Sequence, residues 1–378
     1  MNMTNTIDRI IEMAIQIQQI PAPTLHEEKR GEFVQKLFMD EGLQDVTIDD
    51  AGNVYGLLPK VQGDAPSLSK GQKTKVNPLI ISAHLDTVFP LEMDLSVTRE
   101  DNKIYGIGIG DNSLGVAALF GLIWMLRERQ IELGGDIWFV ANTCEEGLGD
   151  LRGMKAVVER FNQDVHAYLV LEGMALGHVY HKAIGVKRYR VIAKTRGGHS
   201  WSDYGQPSAV LELSNLIAEL SSLRLPSKPR TTMNVGKIRG GTSINVIPAE
   251  ACLELDLRSE DTSVLADLVG KVEKLIEGAN KPGVSMEANV IGTRPAGEMS
   301  LDHRFIELAK SCLYEQGLDA TLTSGSTDAN IPLSKGYPAL VLGVTNGSGA
   351  HTKKEYIDVE PLEKGMEQLV NFVSRVWE

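Results

Sequence analysis

Ile7, Ile10, Ile11, Ala14 and Ile17 recur three or four positions apart, so the chain is predicted to begin with an amphipathic helix that stops before Pro21. Thr24, Leu25, His26 and Glu27 have the spacing of a capping box, which predicts a second helix ending near Gly42 with His26 on the surface. Alternation over 46–58, broken at Asp50, Ala51, Gly52 and Asn53, predicts a hairpin, and the polar stretch 61–77 predicts a loop. Beyond that loop the pattern changes. Runs at 79–81, 136–141, 167–171 and 339–344 are apolar rather than alternating, apart from Asp136 at the start of the second, as expected for strands of an α/β sheet buried on both faces. Residues 114–126 are nearly all apolar and predict a helix.

The middle of the chain has another order. Strands are predicted at 187–195, 231–238, 251–258 and 284–290, with helices at 207–222 and 264–277. The succession β-α-β-β-α-β is the ferredoxin-like one, and it predicts an inserted domain over 184–294 that splits a catalytic domain into 1–183 and 295–378.

A length of 378 residues suits two domains with a large core. The balance of 38 basic against 50 acidic residues, a net charge of -12, argues against nucleic acid as a partner. Cys144, Cys252 and Cys312 are odd in number and widely spaced, which argues against a disulfide framework or a thiolate zinc site and favours a reduced, cytoplasmic setting. Asp8, Arg9 and Glu12 interrupt the first apolar pattern, so it does not read as a signal peptide. No uninterrupted apolar stretch reaches bilayer-spanning length, and no membrane partner is expected.

The chemistry gathers where the apolar runs end. His84 and Asp86 close the run at 79–81, and a histidine beside a carboxylate is half of a metal site or else a buried structural pair. Glycines 106, 108 and 110 lead into Asp111 and Asn112. Their GxGxG spacing, the acid that follows directly and the lack of an acidic-ended strand at the expected distance argue against a dinucleotide site, which leaves a close backbone approach that delivers Asp111 to a helix start, or a plain helix cap. Glu145 and Glu146 follow the run at 136–141. Two adjacent carboxylates there need positive compensation unless they are simply solvated. Glu172 ends the next run, and His351 follows the last.

Ligands collect at the carboxyl ends of strands in open α/β sheets, and five nitrogen and oxygen donors without a thiolate suit a pair of divalent metals, zinc first. Asp111 is the candidate bridge, and Glu145 is left over beside a ligand as a general base.

The segments IPAPTLHE (20–27), SAHLDTVFP (82–90), GIGIGDN (106–112), CEEG (144–147), LEG (171–173), GGHS (197–200), NVIP (245–248), DLR (256–258), SGSTDA (324–329) and AHTKKEY (350–356), in this order, resemble the M20 family of metallopeptidases and amidohydrolases. The likeness is to its carboxypeptidase G2-like and peptidase T-like members. It implies a mixed-sheet di-zinc exopeptidase domain with a ferredoxin-like lid that can also dimerise. It implies His84, Asp111 and Glu172 on one metal and Asp111, Glu146 and His351 on the other, the metals being Zn2+ with Co2+ or Mn2+ as alternatives. Asp86 would orient His84, and Glu145 would serve as base and then acid.

His199, Asn245, Arg258 and Asp328 would hold the substrate and its oxyanion, Arg258 being suited to a carboxylate. The implied substrate is a small peptide, or an N-acyl amino acid if the chain is a deacylase. A non-catalytic metal-binding homologue is disfavoured by the presence of Glu145. Glu172 stands where peptidase T proteins have Asp, which weakens a tripeptide aminopeptidase reading. Ser113 replaces a lysine found nearby in many relatives.

Overall fold

The four apolar runs all lie in one mixed sheet of a computed structural model that describes residues 3–60 and 76–378, with side chains from Thr6 onward. Most of the stretch expected to be a loop at 61–77 therefore lies outside the described residues. The strands are β1 (Gln44–Ile48), β2 (Val54–Leu58), β3 (Leu79–His84), β4 (Ile137–Asn142), β5 (Ala167–Glu172), β6 (His178–Ala183) and β7 (Ala339–Gly343). Their order across the sheet is β1, β2, β4, β3, β5, β7, β6, and the short strand Gly297–Glu298 continues the edge. β3 runs parallel to β4 and β5, and β5 runs parallel to β7, while β1 and β2 form the antiparallel hairpin that the alternation predicted.

All six residues of β3 and all five of β7 are buried, which is why their runs lack a polar face. The helix Leu114–Glu128 is buried from Leu114 to Leu126 and carries no polar stripe for the same reason. This corrects the expectation about membrane-spanning length: among the described residues, Ile109–Glu128 is long and apolar enough by length and composition. Its apolar window is 94% buried within the protein, as in a core helix.

The capping box is a second correction. The second helix begins at Glu28, and Glu27 makes no side-chain cap. The Thr24 hydroxyl donates instead to Asp86 Oδ2 at 2.9 Å. His26 is exposed, as expected.

A second compact unit spans Ala183–Gly297, apart from the unit made of Met1–Lys182 and Glu298–Glu378. Its four antiparallel strands lie in the order Thr231–Gly240, Glu250–Ser259, Gly185–Thr195, Val284–Arg294. The helices Ala209–Ser221 and Thr262–Gly278 supply Leu213, Leu216, Leu268 and Val272 to a core shared with Tyr189, Val191, Leu253 and Leu255 of the sheet. Asp261 caps the second helix, accepting from the N–H groups of Ser263 at 2.8 Å and Val264 at 3.0 Å.

Candidate metal centre

Four parallel strands end together. His84 is the last residue of β3 and sits opposite Asn142 at the end of β4, and Glu172 at the end of β5 sits opposite Gly343 at the end of β7. The segment after β4 carries Glu145 and Glu146, both buried. Asp111 arrives from the glycine run, and His351 from the loop between the short strands Gly347–Ser348 and Tyr356–Asp358.

The two histidines meet on Asp111. His84 Nε2 is 3.1 Å from Asp111 Oδ1, and His351 Nε2 is 3.1 Å from Asp111 Oδ2. Glu172 Oε2 stands 3.8 Å from His84 Nε2, and Glu146 Oε1 stands 2.9 Å from His351 Nε2. In each of the sets His84, Asp111, Glu172 and Asp111, Glu146, His351, the donor atoms lie within 4.8 Å of one another. The same holds for His84, Glu145 and Glu146.

Asp86 organises the near side. Its backbone carbonyl faces His84 Nδ1 at 3.0 Å, closer than its carboxylate Oδ1 at 3.5 Å. The carboxylate accepts the N–H of Glu145 on Oδ1 and that of Glu146 on Oδ2, both at 2.9 Å. One buried acid thus fixes a histidine and the backbone of both glutamates.

Several supports had no role assigned to them from the sequence. Asn112 donates to Leu171 O at 2.9 Å and accepts from Gly173 N–H at 2.8 Å, which ties the Asp111 turn to the residues flanking Glu172. Glu355 accepts from three backbone N–H groups in the glycine run. Burial pushes it up to about 7, against the pull of those donors. The buried Arg30 donates to Leu85 O at 2.7 Å and to Ile20 O, and bracing by a fully buried guanidinium is foreign to the amphipathic pattern of its helix.

The electrostatics show a cluster short of positive charge. Burial alone would lower His84, but hydrogen bonds to Asp111 and Asp86 outweigh it and hold the imidazole well above its usual range. His351 is raised to about 10 by Asp111 and Glu146. Burial opposes ionisation of Asp111, yet the two histidines keep it below the ordinary carboxylate range. Glu172 is raised by burial and by the neighbouring acids. Protons on the histidines offset carboxylates that a divalent cation would offset better, and a donor set of imidazoles and carboxylates fits two such cations.

Asp328 is fully buried and accepts from Asn142 Nδ2 at 2.7 Å, at the end of β4. In the second unit, His199 and Asn245 come together: the pair Gly198–His199 runs antiparallel to Val246–Ile247, and Ser200 N–H donates to Asn245 O at 3.0 Å. His199 Nδ1 accepts from the N–H groups of Trp201 at 3.2 Å and Ser202 at 3.3 Å, so the neutral ring carries its proton on Nε2. Arg258 Nε donates to Asp256 at 2.6 Å, and its side chain is 41% exposed.

Peptidase family M20/M25/M40 matches residues 80–375 of the chain. The uncharacterised protein YqjE of Bacillus subtilis (strain 168) is 26% identical, over 97% of this chain and 98% of its own length. Acetylornithine deacetylase of Photorhabdus laumondii is also 26% identical, over 78% of this chain and 79% of its own. Among solved structures, aminopeptidase PepT from Bacillus cereus superposes with a TM-score of 0.78 at 24% identity, covering 98% of this chain and 99% of that one.

Proposed function

The chain belongs to peptidase family M20/M25/M40 and is a hydrolase, and from that premise we propose that it cleaves the amide bond of a small substrate bearing a free carboxylate, as an exopeptidase on short peptides. The observation that carries this reading is the meeting of His84 and His351, each at 3.1 Å, on separate oxygens of Asp111. His84, Asp111 and Glu172 would hold one zinc ion and Asp111, Glu146 and His351 the other, with Co2+ or Mn2+ as alternatives. When bound, the ions polarise the scissile carbonyl and make water a stronger acid. Glu145 takes the proton of the attacking water and passes it to the leaving amine. Asp86 keeps His84 oriented and the peptide units of Glu145 and Glu146 in place. His199 offers its Nε2–H to the oxyanion, Asn245 supports the His199 turn, and Arg258 receives the substrate's carboxylate.

Zinc-loaded protein is to be assayed on dipeptides, tripeptides and N-acyl amino acids, each with a free and a blocked carboxylate. Blocking is expected to lower kcat/KM by about tenfold or more, the scale of a charge-assisted hydrogen bond. Arg258→Ala is expected to be slow on the free substrate and indifferent to the block. Full activity on blocked substrates would remove Arg258 from the site. A second reading, deacylation of an N-acyl amino acid, is favoured by the likeness to acetylornithine deacetylase, and the same panel decides it.

The second unit is proposed as a lid that pairs two copies of the chain. Leu211, Ile244 and Val246 are exposed and line one concavity of about 510 Å³, beside the edge strand Thr231–Gly240 with its exposed Ile238. Light scattering is expected to give a dimer for the native chain and a monomer for Ile244→Asp. A native monomer would refute the pairing.

A further inference from the structure

The glycine run before Asp111 forms a cradle for an anion, and the chain supplies that anion itself. Glu355 is fully buried. Its Oε2 accepts from Gly108 N–H at 2.9 Å, and its Oε1 accepts from Gly110 N–H at 2.8 Å and Asp111 N–H at 2.9 Å. Its own carbonyl accepts from Gly106 N–H at 3.1 Å. Gly108 has a φ of 70°, and a Cβ on Gly110 would lie 2.8 Å from Met174 and 3.0 Å from Ile357. The positive φ at Gly108 and the close contacts at Gly110 favour glycine at these two places in a turn that points its N–H groups at one carboxylate.

Glu355 lies in the loop that carries His351, four positions further on. Its carboxylate therefore joins the carrier of His351 to the carrier of Asp111. On the far side of the same turn, Asn112 joins Asp111 to Glu172 through Leu171 O and Gly173 N–H. Two adjacent anchorages thus flank Asp111, one joining its turn to the loop of His351 and the other to the strand of Glu172.

We propose that Glu355 is a positioning residue for one half of the metal centre, fixing His351 against Asp111, while Asn112 fixes Glu172 against Asp111, so that the two cation positions can be weakened one at a time. This rests on the two-cation reading above. Glu355→Gln keeps the shape but turns an NH2 toward a backbone N–H, which loosens the cradle without emptying it. Asn112→Ala removes both tethers to the Glu172 strand.

The test uses the full chain, stripped of metal and titrated with Zn2+ against a chromophoric chelator, with the melting temperature of the metal-free form measured alongside. Wild type is expected to take up two ions. Glu355→Gln is expected to weaken one of them about 10- to 100-fold, the usual cost of losing a partner behind a ligand, and to leave the other unchanged. In a His351→Ala background, where one position is already lost, Glu355→Gln should have no further effect on the remaining ion while Asn112→Ala weakens it. Two ions held at wild-type affinity by Glu355→Gln, or two weakened equally together with a lower metal-free melting temperature, overturn the proposal and make Glu355 a general structural group. Fewer than two ions on the wild type sinks the two-cation reading itself, and this inference with it.

Discussion

Glu145→Gln is expected to lower turnover by about 10²- to 10⁴-fold, the range of a lost general base, while zinc content stays at two ions per chain. The five donors His84, Asp111, Glu146, Glu172 and His351 fill two sets without Glu145. Its carboxylate falls within 4.8 Å of donor atoms of His84 and Glu146, so it borders the centre, and the proposed reading makes it the base there and not a ligand. Its N–H is fixed on Asp86 Oδ1 at 2.9 Å, which sets where the side chain starts. Gln matches Glu in size and cannot store a proton, so binding and metal uptake should survive while proton transfer fails. Zinc assay and kcat on one preparation check this. Unchanged turnover would place the base elsewhere, and lost zinc would make Glu145 a ligand.

The strand ends were legible because their physics is local. A continuous apolar run such as 79–81 predicts a strand covered on both faces, and its carboxyl end predicts where chemistry gathers. Long-range partners were not legible. Thr24 and Glu27 have the spacing of a capping box, but Asp86, 62 positions away, takes the Thr24 hydroxyl. A buried carboxylate in need of donors competes better for that hydroxyl than a helix end that water can satisfy.

The glycine run announced a close approach but not what approached, since Gly108 meets a side chain 247 positions further on. Likewise the orientation of His84 rests first on the backbone carbonyl of Asp86, a partner that no residue type reveals. The apolar helix beginning at Leu114 has a membrane-like composition because its surroundings are protein on every side.

Asp86→Asn is the substitution with the widest expected consequences, because one carboxylate serves partners that an amide cannot serve together. Oδ1 accepts from Glu145 N–H, and Oδ2 accepts from Glu146 N–H and the Thr24 hydroxyl, each at 2.9 Å. Whichever way the amide is turned, its NH2 faces a backbone N–H, so at least one buried donor is left without an acceptor. Such a loss costs about 1–3 kcal/mol, and a comparable repulsion is added by the facing donors. Burial opposes ionisation of Asp86, but His84 and the N–H donors of Glu146 and Glu145 prevail and keep the acid charged, and Asn removes that charge beside His84. The melting temperature of the metal-free protein should therefore fall, and zinc affinity should drop by about 10- to 100-fold through the displaced Glu146 and the charge lost beside His84, whose backbone contact to residue 86 is kept. Turnover with excess zinc should stay low, because the backbone of Glu145 has also lost its anchor and added metal cannot restore it. A variant that recovers wild-type turnover once saturated with zinc would confine Asp86 to metal retention and break the link drawn here between it and the base.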